Sequence, residues 1–428
     1  MGALDDGLGR FGSFRFSRSG LEILLMSSYV IPSRQGRPGD DPIFALSKAA
    51  REAKARGERV FDATLGALMD DEGRLMTMPA LTKALRETPD AVLSAYAPIG
   101  GAPAFLEAVK DELLAGEPAL RGRAVAVATP GGTGALRLAV TSFLDEGQAL
   151  LTTSHFWSPY DTIAREHGRR VETFSMFAVG ALDAAALDRE LARQLEAQGR
   201  ALLLLNDPCQ NPTGYSMSDE DWAGVSRVLA RHAPKGPITV LLDIAYAAFS
   251  PGAVKRPIAA LSKLSGEVQV AFAWSASKSF LAYGQRVGAL VVVPPRADDA
   301  KDVQAALVYS CRGTWSNCNH AGMSAVSRLL VDGPEKQAAD DERLGATQLL
   351  AARVAAWNDA ARPLGLEYPR YDGGFFVTVT SSDPKAHAAR LRERGVYVVP
   401  LASTLRVALC SVPVADVAAV ARALAETA

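Results

Sequence analysis

The chain has 428 residues, which at roughly 100–200 residues per domain suggests two or three domains or subdomains. With 48% hydrophobic and 22% charged residues it can build a large core, and its 46 basic against 47 acidic side chains give no support to nucleic acid or an anionic membrane as the main partner. No apolar run approaches the roughly 20 residues that span a bilayer; the four cysteines (Cys209, Cys311, Cys318, Cys410) form no CxxC pair, as in a reduced cytoplasmic protein, and the five histidines are too scattered for a metal cluster.

Residues 1–40, rich in Gly, Ser, Arg and Pro, read as an N-terminal arm. Asp5 and Asp6 and the lack of a proper apolar stretch argue against a secretory signal, and the first 25 residues read as a mobile arm or a misassigned start. An amphipathic helix is expected over residues 43–57, ending at Gly57, then a turn at Asp70–Gly73 and a second helix over 78–88. Seven apolar, β-branched-rich runs follow, at 123–129, 149–154, 170–175, 201–207, 238–244, 268–277 and 287–294. Most lack polar alternation, as expected of strands covered on both faces, and helical stretches separate the first six. The pattern predicts an α/β fold with a seven-stranded, mostly parallel sheet flanked by helices. The last two runs are joined by about ten residues, too few for a helical crossover, so the seventh strand is expected to be antiparallel. Gly333-Pro334 opens a long helix to about residue 362, and FFVTVT, AHAARLRERG, VYVVPL, LRVALCS and a final helix from about Val414 complete a smaller α+β domain. The division expected is 1–40 arm, 41–75 first part of the small domain, 76–332 large domain and 333–428 remainder of the small domain.

Four strand ends carry chemistry. Thr129-Pro130-Gly131-Gly132-Thr133-Gly134 lies between a strand and a helix, where glycines let a backbone approach an anion and free N–H groups meet it. GxGxxG is incomplete there and GxxxxGK[ST] is absent from the chain, which weakens the dinucleotide and P-loop readings. Asn206-Asp207-Pro208-Cys209-Gln210-Asn211-Pro212-Thr213-Gly214 is a rigid turn after a second strand. Asp243, with Tyr246 three residues on, ends a third, where open α/β sheets bind ligands. Lys278, in Ser275-Ala276-Ser277-Lys278, follows a buried strand; a desolvated lysine there becomes a nucleophilic amine, and Arg286 downstream is a bidentate phosphate ligand. Taken alone, the first three segments read equally as a turn or a helix cap, and Lys278 reads more often as a solvated strand end.

In this order, with Asp243 and Lys278 separated by 278 − 243 = 35 positions, the segments resemble the class I pyridoxal-phosphate-dependent aminotransferases, aspartate and aromatic aminotransferase-like enzymes of fold type I. The resemblance runs from about residue 41 to the end. It implies pyridoxal 5'-phosphate held covalently by Lys278, which also moves the proton in the transfer. It implies Asp243 facing the ring nitrogen, Tyr246 and Asn211 at the phenolic oxygen, and Trp157 stacked on the ring. Ser275, Ser277, Arg286, Gly132 and Thr133 would hold the phosphate, with Tyr96 reaching the phosphate of a neighbouring subunit in a homodimer. Arg406 would grip the substrate's α-carboxylate, Arg312 a distal carboxylate across the subunit boundary, and the Gly66 backbone would lie against the substrate. Amino-group transfer from an acidic or aromatic L-amino acid to 2-oxoglutarate, by a ping-pong route, is the activity implied.

The chain departs from that pattern at Asn206 and Tyr160, where aspartate-specific relatives carry histidines, and at Trp315, Cys318 and Asn319. These departures bear on side-chain specificity. The rival readings are another enzyme of the same fold, such as a C–S lyase or decarboxylase, and a non-catalytic ligand-sensing domain of that fold.

Overall fold

All seven apolar runs become strands of one sheet: β1 (Val125–Pro130), β2 (Ala149–Thr153), β3 (Arg170–Phe174), β4 (Ala201–Asn206), β5 (Ile238–Asp243), β6 (Gln269–Ser275) and β7 (Val287–Val293). The computed structural model describes residues 29–428 apart from 38, 40, 41 and 251, so the arm expected over residues 1–40 and its first 25 residues lie largely or wholly outside the described residues. Two units divide the chain, Met1–Pro42 and Ile43–Ala428. In the first, Pro32–Arg34 makes one 3-10 turn, closed by the Gln35 N–H on the Pro32 carbonyl, and Gln35 Nε2 donates to the Val30 carbonyl at 2.7 Å.

In the second unit the spatial strand order is β1-β7-β6-β5-β4-β2-β3. Strands β2 to β6 pair in parallel, and β7 runs antiparallel to both β6 and β1, as the short connection before it requires. The absence of alternation has a direct cause. Leu203, Leu205, Val240 and Leu242 pack into the core on one face with Leu187 and Trp222, while Leu202, Leu204 and Leu241 pack into the other with Leu136 and Val140. Both faces are dry, so both alternating sets are apolar.

Helix α1 (Gly131–Phe143) leaves β1 and leads to β2, which has four strands between it and β1, so the helix crosses the sheet against β7 and β6. Helix Asp219–His232 begins in a capping box between Ser218 and Asp221. A hairpin of Phe177–Ala178 with Ala181–Leu182, not foreseen in the sequence, precedes helix Ala184–Gln198.

Beyond β7, helix α2 (Pro334–Ala361) starts at the expected Gly-Pro and runs for 28 residues. The smaller sheet consists of β8 (Phe376–Thr380), β9 (Val399–Pro400) and β10 (Thr404–Ala408), antiparallel in the order β8-β10-β9. VYVVPL is two strands, not one: Val396–Tyr397 pairs in parallel with Phe61–Asp62, and the chain changes partner at Val398. Arg353 of α2, fully buried, pairs with Asp71 at 2.8 Å and donates to the carbonyls of Met69 and Cys410, which ties the 65–71 loop to the end of β10. Among the described residues no helix is long and apolar enough to cross a membrane.

Candidate active site

The C-terminal edge of the sheet gathers the segments that the sequence singled out. Asn206 and Asp243 are register partners at the ends of β4 and β5, and Gly288 of β7 pairs with both Ser275 of β6 and Thr129 of β1. Ligands of open α/β sheets bind at this edge.

Lys278 sits in a single helical turn, Ala276–Ser279, directly after β6. Its Nζ donates to the Gly66 carbonyl and lies 4.6 Å from the Tyr283 ring centre, 5.2 Å from Phe375 and 6.0 Å from Tyr246. Burial among these rings lowers its pKa to about 8, with the charges of Arg406 and Arg286 pushing the same way and Cys410 and Asp243 opposing. Three other sequence-predicted residues, Asp243, Arg406 and Arg286, are thus within electrostatic reach of the Lys278 amine.

Asp243 is buried, and burial raises its carboxyl pKa. Two donors and the Lys278 charge oppose that rise: Tyr160 Oη to Oδ2 at 2.7 Å, and the Ala245 N–H to Oδ1 at 3.2 Å. Asn206 braces the same place, with Nδ2 on the Asp243 carbonyl at 2.8 Å and Oδ1 accepting from the Asn211 N–H at 2.7 Å. Asn206 and Tyr160, read in the sequence as bearing on side-chain specificity, are therefore attached to Asp243 and Asn211. The Asn211 Oδ1 is buried with no hydrogen-bond partner among the described residues. Tyr246 is buried, its ring 5.3 Å from Phe375, and burial keeps its phenol protonated far above neutral pH. Trp157 meets Tyr160 edge-on at 5.6 Å.

The start of α1 forms a cradle. No side chain caps this helix, and Thr133 in its first turn is exposed. Arg286 arches over Gly131, with Nη2 on the Pro130 carbonyl at 3.1 Å and Nη1 on Ser277 Oγ and the Tyr283 carbonyl at 3.1 and 3.0 Å. A side chain at Gly131 would run into that guanidinium, and a Cβ at Gly132 would stand 3.2 Å from Ser275 Cβ. Ser275 caps the Lys278 turn, its Oγ accepting from the Ser277 N–H. Arg286 holds φ +53, a conformation uncommon outside glycine, of the kind that collects at ligand sites.

Arg406, in β10, is 5% exposed; it donates from Nη2 to the Thr64 carbonyl at 2.7 Å, and its guanidinium lies 4.4 Å from the Phe376 ring centre. The same ring covers Gly66, where a Cβ would come within 2.5 Å of it. Two predicted residues are not brought to this cluster by the chain itself. Tyr96 is 89% exposed on its loop, and Arg312, near the end of helix Ala300–Thr314, is exposed and bonds Ser316 Oγ at 2.8 Å. Trp315 packs under Arg137, whose guanidinium is 5.9 Å from its ring centre.

Sequence reasoning missed Tyr283 around Lys278 and the attachment of Tyr160 to Asp243, a contact across 83 positions that no local motif signals. The gathered residues fit pyridoxal phosphate on this chain's own terms: a buried amine of lowered pKa, a buried carboxylate near it, an unpartnered amide oxygen, and a glycine cradle that any Cβ would fill.

Comparison with known proteins agrees. The family profile described as "Aminotransferase class I and II" matches residues 61–424. A tyrosine aminotransferase of Rhizobium meliloti is 30% identical over 371 residues, covering 85% of this chain and 92% of that one. An aspartate aminotransferase of Pseudomonas aeruginosa is 30% identical over 317 residues, covering 71% and 76%. The crystal structure of an aminotransferase from Anaerococcus prevotii superposes with a TM-score of 0.88 at 31% identity, covering 93% of this chain and 99% of that chain.

Proposed function

The chain belongs to the class I and II aminotransferases, pyridoxal-phosphate-dependent enzymes, and on that footing we propose that it moves the amino group of an acidic or aromatic L-amino acid to 2-oxoglutarate by a ping-pong route, as a cytoplasmic homodimer. The observation that carries this reading is the buried amine of Lys278 set among Asp243, Arg286 and Arg406. Relatives named for tyrosine and for aspartate support the two substrate classes.

Bound pyridoxal phosphate supplies an electron-withdrawing ring that stabilises negative charge on the amino-bearing carbon. The remaining work falls to the protein. Lys278 Nζ, with a pKa of about 8, is partly neutral near that pH, and it would hold the cofactor and move the substrate's α-proton. Asp243 would present its carboxylate to the ring nitrogen, Asn211 and Tyr246 would hold the phenolic oxygen, and Trp157 would cover the ring. Ser275, Ser277, Arg286 and the Gly132 and Thr133 amides would hold the phosphate, joined by Tyr96 of the partner subunit. Residues 76–332 would be the cofactor-binding domain, with 41–75 and 333–428 the small domain that brings Arg406.

Arg406 grips the α-carboxylate common to every amino acid, with the Gly66 backbone beside the substrate. Arg312 of the partner subunit takes the distal carboxylate of aspartate, glutamate and 2-oxoglutarate. Losing a charge-assisted contact in a closed site costs on the order of 2–5 kcal/mol, so Arg312→Ala should cut kcat/KM for dicarboxylates by roughly 30-fold to several thousand-fold. Phenylalanine and tyrosine should suffer far less. Steady-state kinetics of both proteins on aspartate, glutamate, phenylalanine and tyrosine decide it. Equal losses on all four would make Arg312 structural, and a wild type that ignores every dicarboxylate would remove 2-oxoglutarate as acceptor.

A further inference from the structure

We propose that Tyr160 is a positioning residue for the transfer chemistry, its phenol fixing the Asp243 carboxylate as an oriented anion whose support does not change with pH. The inference rests on the reading that Asp243 faces the cofactor's ring nitrogen. Tyr160 is 1% exposed, and its Oη donates to Asp243 Oδ2 at 2.7 Å. Its ring is clamped, stacked on Phe156 at 6.2 Å and met edge-on by Trp157 at 5.6 Å, so the hydroxyl has little freedom to turn away. The other carboxylate oxygen accepts from the Ala245 N–H, and Asn206 fixes the Asp243 backbone. Both oxygens are therefore held by neutral donors, which favour the ionised carboxylate against its burial.

The titratable groups that face Asp243 are Tyr160 from the helix after β2, Tyr246 from the turn after β5 and Lys278 from the turn after β6. Burial and the Asp243 charge push both phenols above the ordinary tyrosine range, so neither changes charge near neutrality. An imidazole in place of Tyr160, ordinarily titrating near pH 6.5, would be pushed down by burial and up by the Asp243 charge, and would alternate between one donor and two. The phenol removes that dependence.

The test is the dissociation constant of pyridoxal phosphate for the apoprotein, measured by protein fluorescence from pH 5.5 to 8.5. Wild type is compared with Tyr160→Phe, Tyr160→His and Asp243→Asn, with circular dichroism confirming the fold of each. Tyr160→Phe, which removes one oxygen, should weaken binding roughly 10-fold or more near pH 6, because a hydrogen bond to a charged group is lost. The ratio to wild type should shrink toward pH 8.5, since a carboxyl without its donor protonates at higher pH. For Tyr160→His the ratio should change with pH across the range as the imidazole gains its second proton. A ratio of one for Tyr160→Phe at every pH, with Asp243→Asn weakened, overturns this inference and leaves the assignment of Asp243 standing. Unchanged binding by Asp243→Asn as well overturns both. A Tyr160→His ratio that is flat with pH overturns the claim that the phenol suppresses a titration.

Discussion

An amine enclosed by three aromatic rings and a carbonyl must give up part of its basicity, and in Lys278 the loss brings the pKa from an ordinary 10.5 to about 8. The same shift is a statement about stability. Between about pH 8 and 10.5 the unfolded chain binds a proton that the folded chain does not, so this residue's penalty on the apoprotein is full below pH 8 and fades as pH rises through that window. The penalty is on the order of 3 kcal/mol. Lys278→Met fills the space without a charge. The apo variant should melt above the apo wild type at pH 7, and the gap should narrow toward pH 10. Scanning calorimetry at the two pH values checks it, and a variant that melts lower at pH 7 would mean that the Gly66 carbonyl compensates the amine in full. The variant should lose turnover by several orders of magnitude, since among the described residues gathered at the site Lys278 supplies the amine.

At the scale of elements, the site is a set of strand ends that converge because strands β4, β5 and β6 are parallel and in register. The cradle at the start of α1 depends on Gly131, which holds φ +74 beneath the Arg286 guanidinium. Gly131→Ala would strain the backbone and displace Arg286, at a cost of about 1–3 kcal/mol each from strain and overpacking. The variant should melt lower and bind inorganic phosphate and cofactor more weakly. Unchanged cofactor affinity in a destabilised variant would separate the turn's structural role from the clamp. Much of this layer was legible in the sequence. Strands buried on both faces leave uninterrupted apolar runs, and a ten-residue connection cannot carry a helix, so the sheet and its single antiparallel strand between β1 and β6 followed from local pattern. The Gly-rich turn, Asp243 and Lys278 were legible through their order and spacing along the chain, which together resemble one enzyme family, and not singly. The pairing of Tyr160 with Asp243 and the lid that Phe376 makes over Gly66 were not, since both join segments far apart in the chain and neither leaves a periodic trace. The hairpin at 177–182 was missed because its strands are two residues each, too short to alternate.

At the scale of the whole molecule, the chain supplies one set of residues to the Lys278 cluster and presents another to its surroundings. Tyr96 and Tyr309 are 89% and 84% exposed, a large aromatic area for a single chain to leave in water, and Arg312 stands exposed three residues from Tyr309 on the same helix. In the proposed homodimer these residues would serve the opposite subunit, with Tyr96 reaching its cofactor phosphate and Arg312 its substrate. Shared sites make a specific demand on mixtures. Lys278→Ala chains lack the nucleophile but carry an intact Arg312, and Arg312→Ala chains are the reverse. Each homodimer is deficient at both sites for a dicarboxylate. In a hybrid dimer one site draws Lys278 from one chain and Arg312 from the other, both intact, while the second site lacks both. Random reassortment of equal amounts places half of all dimers in the hybrid class, so about a quarter of the sites should recover dicarboxylate turnover. Co-unfolding and refolding the two variants, followed by aspartate kinetics, measures that recovery. No recovery in mixtures whose exchange is proven by mass-tagged chains would place Arg312 in its own subunit's site, and an active strict monomer would remove the shared site altogether.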